Sequence, residues 1–168
     1  MPVSADTLRN HLAYSAWASR RLVAAAAELP PADLMRDFQT ADHSVLGTLV
    51  HVFAADRIWL ARLTGAPVTA FVTDADHSMS VLQNDWPELQ GRWQGWASLL
   101  TDERAQAMHD YKDMKGNAYR QPIWQIVLHV VNHGTHHRGQ VSGFLRTLGR
   151  TPPPLDLMFY YREQAAHA

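Results

Sequence analysis

Four of the ten histidines, His129, His133, His136 and His137, fall within one nine-residue stretch of LHVVNHGTHHRGQ. The chemically useful pair is His133 and His137. Residues four apart on a helix share a face, about 6 Å apart along the axis, so two imidazoles at that spacing can converge on one ion. On a wheel at about 100° per residue with Ile123 at zero, the apolar stripe of this segment (Ile126, Val127, Val130, Gly134, Val141, Phe144, Leu145, Leu148) falls between roughly 300° and 40°. His137 lies within the stripe near 320° and His133 at its edge near 280°, while His129 and His136 fall to the side at about 240° and 220°. A histidine on an apolar face often packs in the core on a single hydrogen bond. Two at this spacing are costly to bury without a shared partner, which points to metal. The pattern is not the zinc-protease one, because Gly134 follows His133 where that motif has its glutamate.

A catalytic metal needs a third protein ligand. The remaining histidines are His11, His43, His51, His77, His109 and His167. His43, His77 and His109 read as loop or element-end residues, and His167 is near the end of the sequence. His51, within LVHVFAADRIWLARL, and His11, between Asn10 and Leu12, are both mid-helix, and the spacing does not choose between them.

Four helical blocks must position these groups. The first runs from about Asp6 to Leu29, with Ser4 as N-cap and Pro30-Pro31 as stop. The second runs from about Val45 to Leu63, capped by Ser44 and ended by Gly65. It is apolar around most of its circumference, which points to neighbours on several sides, including a second subunit. The third starts near Asp85, has Pro87 in its first turn and carries the stripe Trp86, Leu89, Trp93, Trp96, Leu100 to about Thr101. The fourth runs from Pro122 to Leu148 and ends at Gly149. A Gly-Asn turn signal in YKDMKGNAYRQ predicts a small hairpin between the third and fourth, and LDLMFYYREQ a short closing helix after three prolines. The expected fold is all-α, a four-helix bundle forming a single domain over residues 1–168.

Composition narrows the function. Apolar residues make up 46% and charged residues 18% of the chain, and the formal net charge is −1, so no electrostatic grip on nucleic acid or an anionic membrane is expected. No apolar run reaches the ~18 residues of a membrane span and no signal-peptide pattern opens the chain, so the expected location is cytoplasmic. There is no cysteine. Any metal site must use histidine and carboxylate, and any thiol chemistry needs a thiol from a small molecule.

With these residues in place, the chain resembles the DinB-like (YfiT, or DinB/MDMPI) superfamily over nearly its whole length. The resemblance rests on the mid-helix histidine in LVHVFAADRIWLARL, on HVVNHGTHHRGQV and on the ending LGRTPPPLDLMFYY. HLAYSAWASRRL in the first helix is also similar, though Ser19 stands where relatives often have asparagine. The resemblance implies an up-down-down-up bundle, commonly dimeric, with a divalent metal held by three histidines. Matched residue by residue, these are His51, His133 and His137, which settles His51 over His11. Zinc or nickel is the expected ion. The resemblance further implies thiol-dependent S-transferase-type chemistry with a small-molecule substrate and a low-molecular-weight thiol. A metal-dependent hydrolase and a non-catalytic metal- or ligand-binding dimer are the alternatives. Asp56 could orient a ligand or be a solvated surface carboxylate, Arg138 could grip a substrate carboxylate or serve in packing or a salt bridge, and Tyr160 and Tyr161 could close the mouth or pack a terminal helix. His129 and His136 are candidates for outer or surface roles. No general base is assigned.

Overall fold

A computed structural model describes residues 3–166. The elements are α1 (Ala5–Ala27), α2 (Pro31–Leu34), α3 (Val45–Thr64), α4 (Trp86–Ser98), α5 (Asp102–Gln106), β1 (Met108–Lys112), β2 (Ala118–Pro122), α6 (Ile123–Thr147) and α7 (Leu157–Ala166). Helix α1 begins where the Ser4 side chain accepts a hydrogen bond from Thr7 N, and α3 where Ser44 accepts from Gly47 N. Those caps satisfy amides that have no partner within the helix. Helix α3 ends at Gly65, whose φ of 71° is the left-handed conformation that glycine adopts without strain.

The long helices α1, α3, α4 and α6 form the expected bundle, and contacts between them fix its directions. Arg9 of α1 donates to the carbonyls of Ala97 and Leu100, while Arg20, three turns on, donates to Gln90, so α1 and α4 run antiparallel. His51 meets His133 and His137, while Trp59 meets His129, so α3 and α6 also run antiparallel. Phe53 meets Trp86 while the Asp56 carbonyl accepts from Trp93 Nε1, so α3 and α4 run parallel and the order is up-down-down-up. Residues 65–85 connect α3 to α4 and are pinned to α3 by a bidentate pair: Arg57 Nη1 and Nη2 donate to the two Asp76 oxygens at 2.7 and 3.0 Å.

The third predicted helix is shorter than its apolar stripe. It ends at Ser98, and Thr101 instead caps α5 by accepting from Arg104 N at 3.1 Å. Leu100 is buried all the same, because the chain leaves α4 toward the core. The hairpin pairs β1 with β2 antiparallel, Tyr111 opposite Tyr119, and begins three residues before the turn-rich segment that announces it. Its loop is closed by Asp113, which accepts from Lys115 N and Asn117 N, with Gly116 at a φ of 87°.

The apolar circumference of α3 is covered within one chain. Its buried residues include Leu49, Val50, Val52, Phe53, Ala54, Ala55 and Ile58, which occupy most directions around the helix. Helix α3 therefore leaves no broad apolar face for a second subunit. No helix among the described residues is long and apolar enough to cross a membrane.

Candidate metal centre

Helix α3 delivers His51, and α6 delivers His133 and His137 from one face. One ring nitrogen from each lies within 4.8 Å of the others, a spacing that could hold a metal ion. The Nε2 atoms of His51 and His133 are 3.0 Å apart. Two imidazoles bound to one ion at about 2.0–2.1 Å, and subtending roughly 90–110° at it, would have nitrogens about 3 Å apart. The donor set therefore fits a divalent cation.

The outer nitrogens of His51 and His137 are held by oxygen acceptors. His51 Nδ1 lies 3.1 Å from Asp42 Oδ1. His137 Nδ1 lies 2.8 Å from Gln140 Oε1 and 3.6 Å from Asp42 Oδ2. An Nδ1 facing a carboxylate or amide oxygen carries the hydrogen, which leaves the Nε2 lone pair free to ligate. Burial pushes the His133 pKa down to about 3, assisted by the neighbouring charges of His137, His51, His129 and His136. Burial also lowers that of His51; Asp42 opposes the shift and His137 adds to it. Neutral rings with inward lone pairs are the form that binds metal.

Asp42 had no signal in the sequence. It lies in the short loop before α3, which reverses through two non-glycine residues of positive φ, Gln39 at 57° and His43 at 59°. The loop lies directly on the first turn of the helix. A Cβ placed on Gly47 would come within 2.2 Å of the Asp42 carbonyl oxygen, so only glycine permits this approach. Phe38, stacked on Phe144 at 4.2 Å, anchors the loop to α6. On the other side of the site, Phe71 stands edge-on to His51 at 5.1 Å, held where its carbonyl accepts from Arg57.

The remaining histidines lie outside the cluster. His129 packs against Trp59 at 5.2 Å and is 5.9 Å from the His133 ring, and His136 is exposed, edge-on to His137. His11 Nδ1 bonds the Thr7 carbonyl, His77 that of Thr73 and His109 that of Arg62, while His43 faces Asp37. His167 lies outside the described residues.

Three other residues marked in the sequence have their partners away from the three histidines. Asp56 turns away from the histidines into the bundle, where Trp86 Nε1 donates to its Oδ2 at 2.9 Å and burial raises its pKa to about 6. Arg138 is buried against α1, donating to Ser15, Ser19 and Thr135. Ser19 thus has a buried partner in Arg138. Tyr160 packs on Tyr14 and Trp17 of α1 and belongs to the core, not to the mouth of the histidine site.

A sequence model of the DinB family matches residues 1–167. The chain belongs to the DinB family. Among its relatives is Protein DinB of Bacillus subtilis (strain 168), 23% identical over 155 residues that cover 88% of this chain and 89% of that protein. The crystal structure of a DinB-like protein from Bacillus cereus ATCC 10987 superposes with a TM-score of 0.70 at 17% identity, covering 92% of this chain and 99% of that one. At that identity the likeness speaks for the fold. In this DinB-family bundle the three histidines come from two helices, and the carboxylate beside them comes from a loop.

Proposed function

We propose that this protein holds a divalent metal ion, zinc or nickel, on His51, His133 and His137, and is a thiol-dependent S-transferase. The observation that carries the reading is the convergence of three imidazole nitrogens within 4.8 Å, with Asp42 and Gln140 facing their outer nitrogens. A divalent ion held by neutral ligands supplies full positive charge and favours the thiolate form of an incoming thiol near neutral pH.

The residues of the chain have separate parts. Desolvation keeps His133 neutral and Asp42 fixes the tautomer of His51. Phe71 presents an aromatic edge beside His51, an apolar wall against which an electrophile can lie. The chain has no cysteine, so the sulfur must arrive on a small molecule. A homodimer in the cytoplasm is the accompanying expectation. It rests on the family, since α3 is already covered within one chain.

The test is turnover of a haloaromatic electrophile by zinc- or nickel-loaded protein with a panel of low-molecular-weight thiols, repeated with His133→Ala. Thiol-dependent turnover lost in the variant supports the reading. Thiol-independent hydrolysis of an ester or amide, lost in the same variant, replaces it with a hydrolase. Metal binding without turnover of any of these replaces it with a binding protein.

A further inference from the structure

Helix α6 carries a second set of polar residues on the side away from the histidines. Thr135, Arg138, Ser142 and Arg146 follow one another at three- and four-residue steps and so share a face. Taken about 100° per residue from the same origin, that face spans roughly 60–140°, against 280–320° for His133 and His137. Between this face, Tyr14 and residues 152–156 lies a cavity of about 480 Å³. Its volume is within the range of small-molecule sites.

Two arginines border this cavity, Arg138 buried in its wall and Arg146 exposed at its rim. Arg138 is 2% exposed, yet its side-chain acceptors are neutral: Ser15 Oγ at 3.0 Å, Ser19 Oγ at 3.2 Å, Thr135 Oγ1 at 3.0 Å and, more distantly, the Ser15 carbonyl. No carboxylate lies within 4.0 Å of it among the described residues. The Tyr14 ring on the cavity wall and the buried Asp56 carboxylate behind it act on this guanidinium, but burial outweighs them, a desolvation cost that an anion in the cavity would offset. Its orientation is informative. Nη1 faces Ser15 and Ser19 on α1, whereas Nη2 is held by Thr135, a residue of the cavity wall. Arg146, two turns further along, is exposed on the same wall, and its side chain makes no hydrogen bond or ion pair among the described residues. Asp156 is the one acid on the wall. On the wall two arginines face one aspartate, and Asp56 acts on Arg138 from behind it, so the modest positive charge suits one carboxylate better than a multiply charged phosphate. Pro152, Pro153 and Pro154 offer an apolar surface for the rest of the molecule.

We propose that this cavity binds a small organic carboxylate, with Arg138 and Arg146 on the carboxylate group and Ser142 between them. The site is separate from the histidines and does not depend on the reaction assigned to them.

The experiment titrates metal-free protein with acetate, benzoate and glutamate in turn, following backbone amide resonances, with sodium chloride and inorganic phosphate as comparisons. The expected result is saturable binding of at least one carboxylate in the millimolar range or tighter, with shifts at Thr135, Gly139 and Ser142, and weaker or no binding of phosphate. Because Arg138 is buried, the variants are taken at the rim, where folding is preserved. Arg146→Gln should weaken binding about tenfold, by loss of a charge-assisted contact, and Ser142→Asp should abolish it. His133→Ala should leave it unchanged. Absence of saturable carboxylate binding, tighter binding of phosphate, indifference to both rim variants, or loss in His133→Ala would each overturn the proposal.

Discussion

Asp42 Oδ1 and His51 Nδ1 stand 3.1 Å apart, so the loop before α3 orients the histidine that α3 carries. The same carboxylate reaches toward His137 with its other oxygen, at 3.6 Å. One residue thus bears on ligands from two helices. Asp42→Ala should lower metal affinity about 10–100-fold while leaving the helical content intact, as loss of an outer partner to a ligating histidine does. Competition with a chelator of known affinity measures it. Unchanged affinity would mean that Asp42 is only a neighbour.

The helix face separates ligands from bystanders. His51→Ala, His133→Ala and His137→Ala should each lose most of the bound metal in protein purified without added metal, read by elemental analysis. His136→Ala should keep it, since that ring is exposed and only edge-on to His137. His129→Ala should have a small effect, because its ring is 5.9 Å from that of His133 and packed on Trp59. Equal losses for His136→Ala and His133→Ala would contradict the site.

Gly47 gives an independent handle on the loop. Any Cβ there would meet the Asp42 carbonyl at 2.2 Å, and that atom is backbone, which cannot rotate away. Gly47→Ala should cost about 1–3 kcal/mol of stability from the forced shift. It should also weaken metal binding in the same direction as Asp42→Ala, although it touches no ligand. Denaturant melts and metal titrations of the one variant check both. A variant with native affinity would show that the loop's position does not matter to the site.

How far the sequence could be read depended on which contacts were local. The caps at Ser4 and Ser44 and the stop at Gly65 are local chemistry, and they mark the starts of α1 and α3 and the end of α3 as expected. The wheel of α6 separated His133 and His137 from His129 and His136 because that helix has a single apolar stripe. Helix α3 has no such stripe, being buried on most sides, so periodicity could not place His51, and the family resemblance did. Thr101 was misplaced because its side chain serves a short new helix and not the end of the previous one. Asp42 was invisible for a different reason. The reversal that brings it to the histidines uses Gln39 and His43 in left-handed conformations, where no glycine or proline marks the turn.

The acid response follows from the sign of the histidine shifts. In the folded, metal-free protein His133 takes up its proton only near pH 3, against an ordinary value of 6.5, and His51 is shifted the same way. Between those two values the unfolded chain binds more protons at His133 than the folded one, so this contribution to stability is present above pH 6.5 and is lost as pH falls. Asp56 acts oppositely. Its pKa is raised to about 6 by burial, so the folded state binds the extra proton between 3.8 and 6, and its contribution falls as pH rises. Comparing wild type with His133→Gln cancels the aspartate. Denaturant melts of metal-free protein at pH 7, 6 and 5 should show the wild type losing stability on acidification more steeply than the variant. The same neutrality bears on metal: occupancy should fall with acidification but persist somewhat below pH 6.5, the point at which unperturbed imidazoles would begin to release it. Parallel stability profiles for wild type and His133→Gln, or metal loss already complete at pH 6.5, would show that burial does not hold these rings neutral.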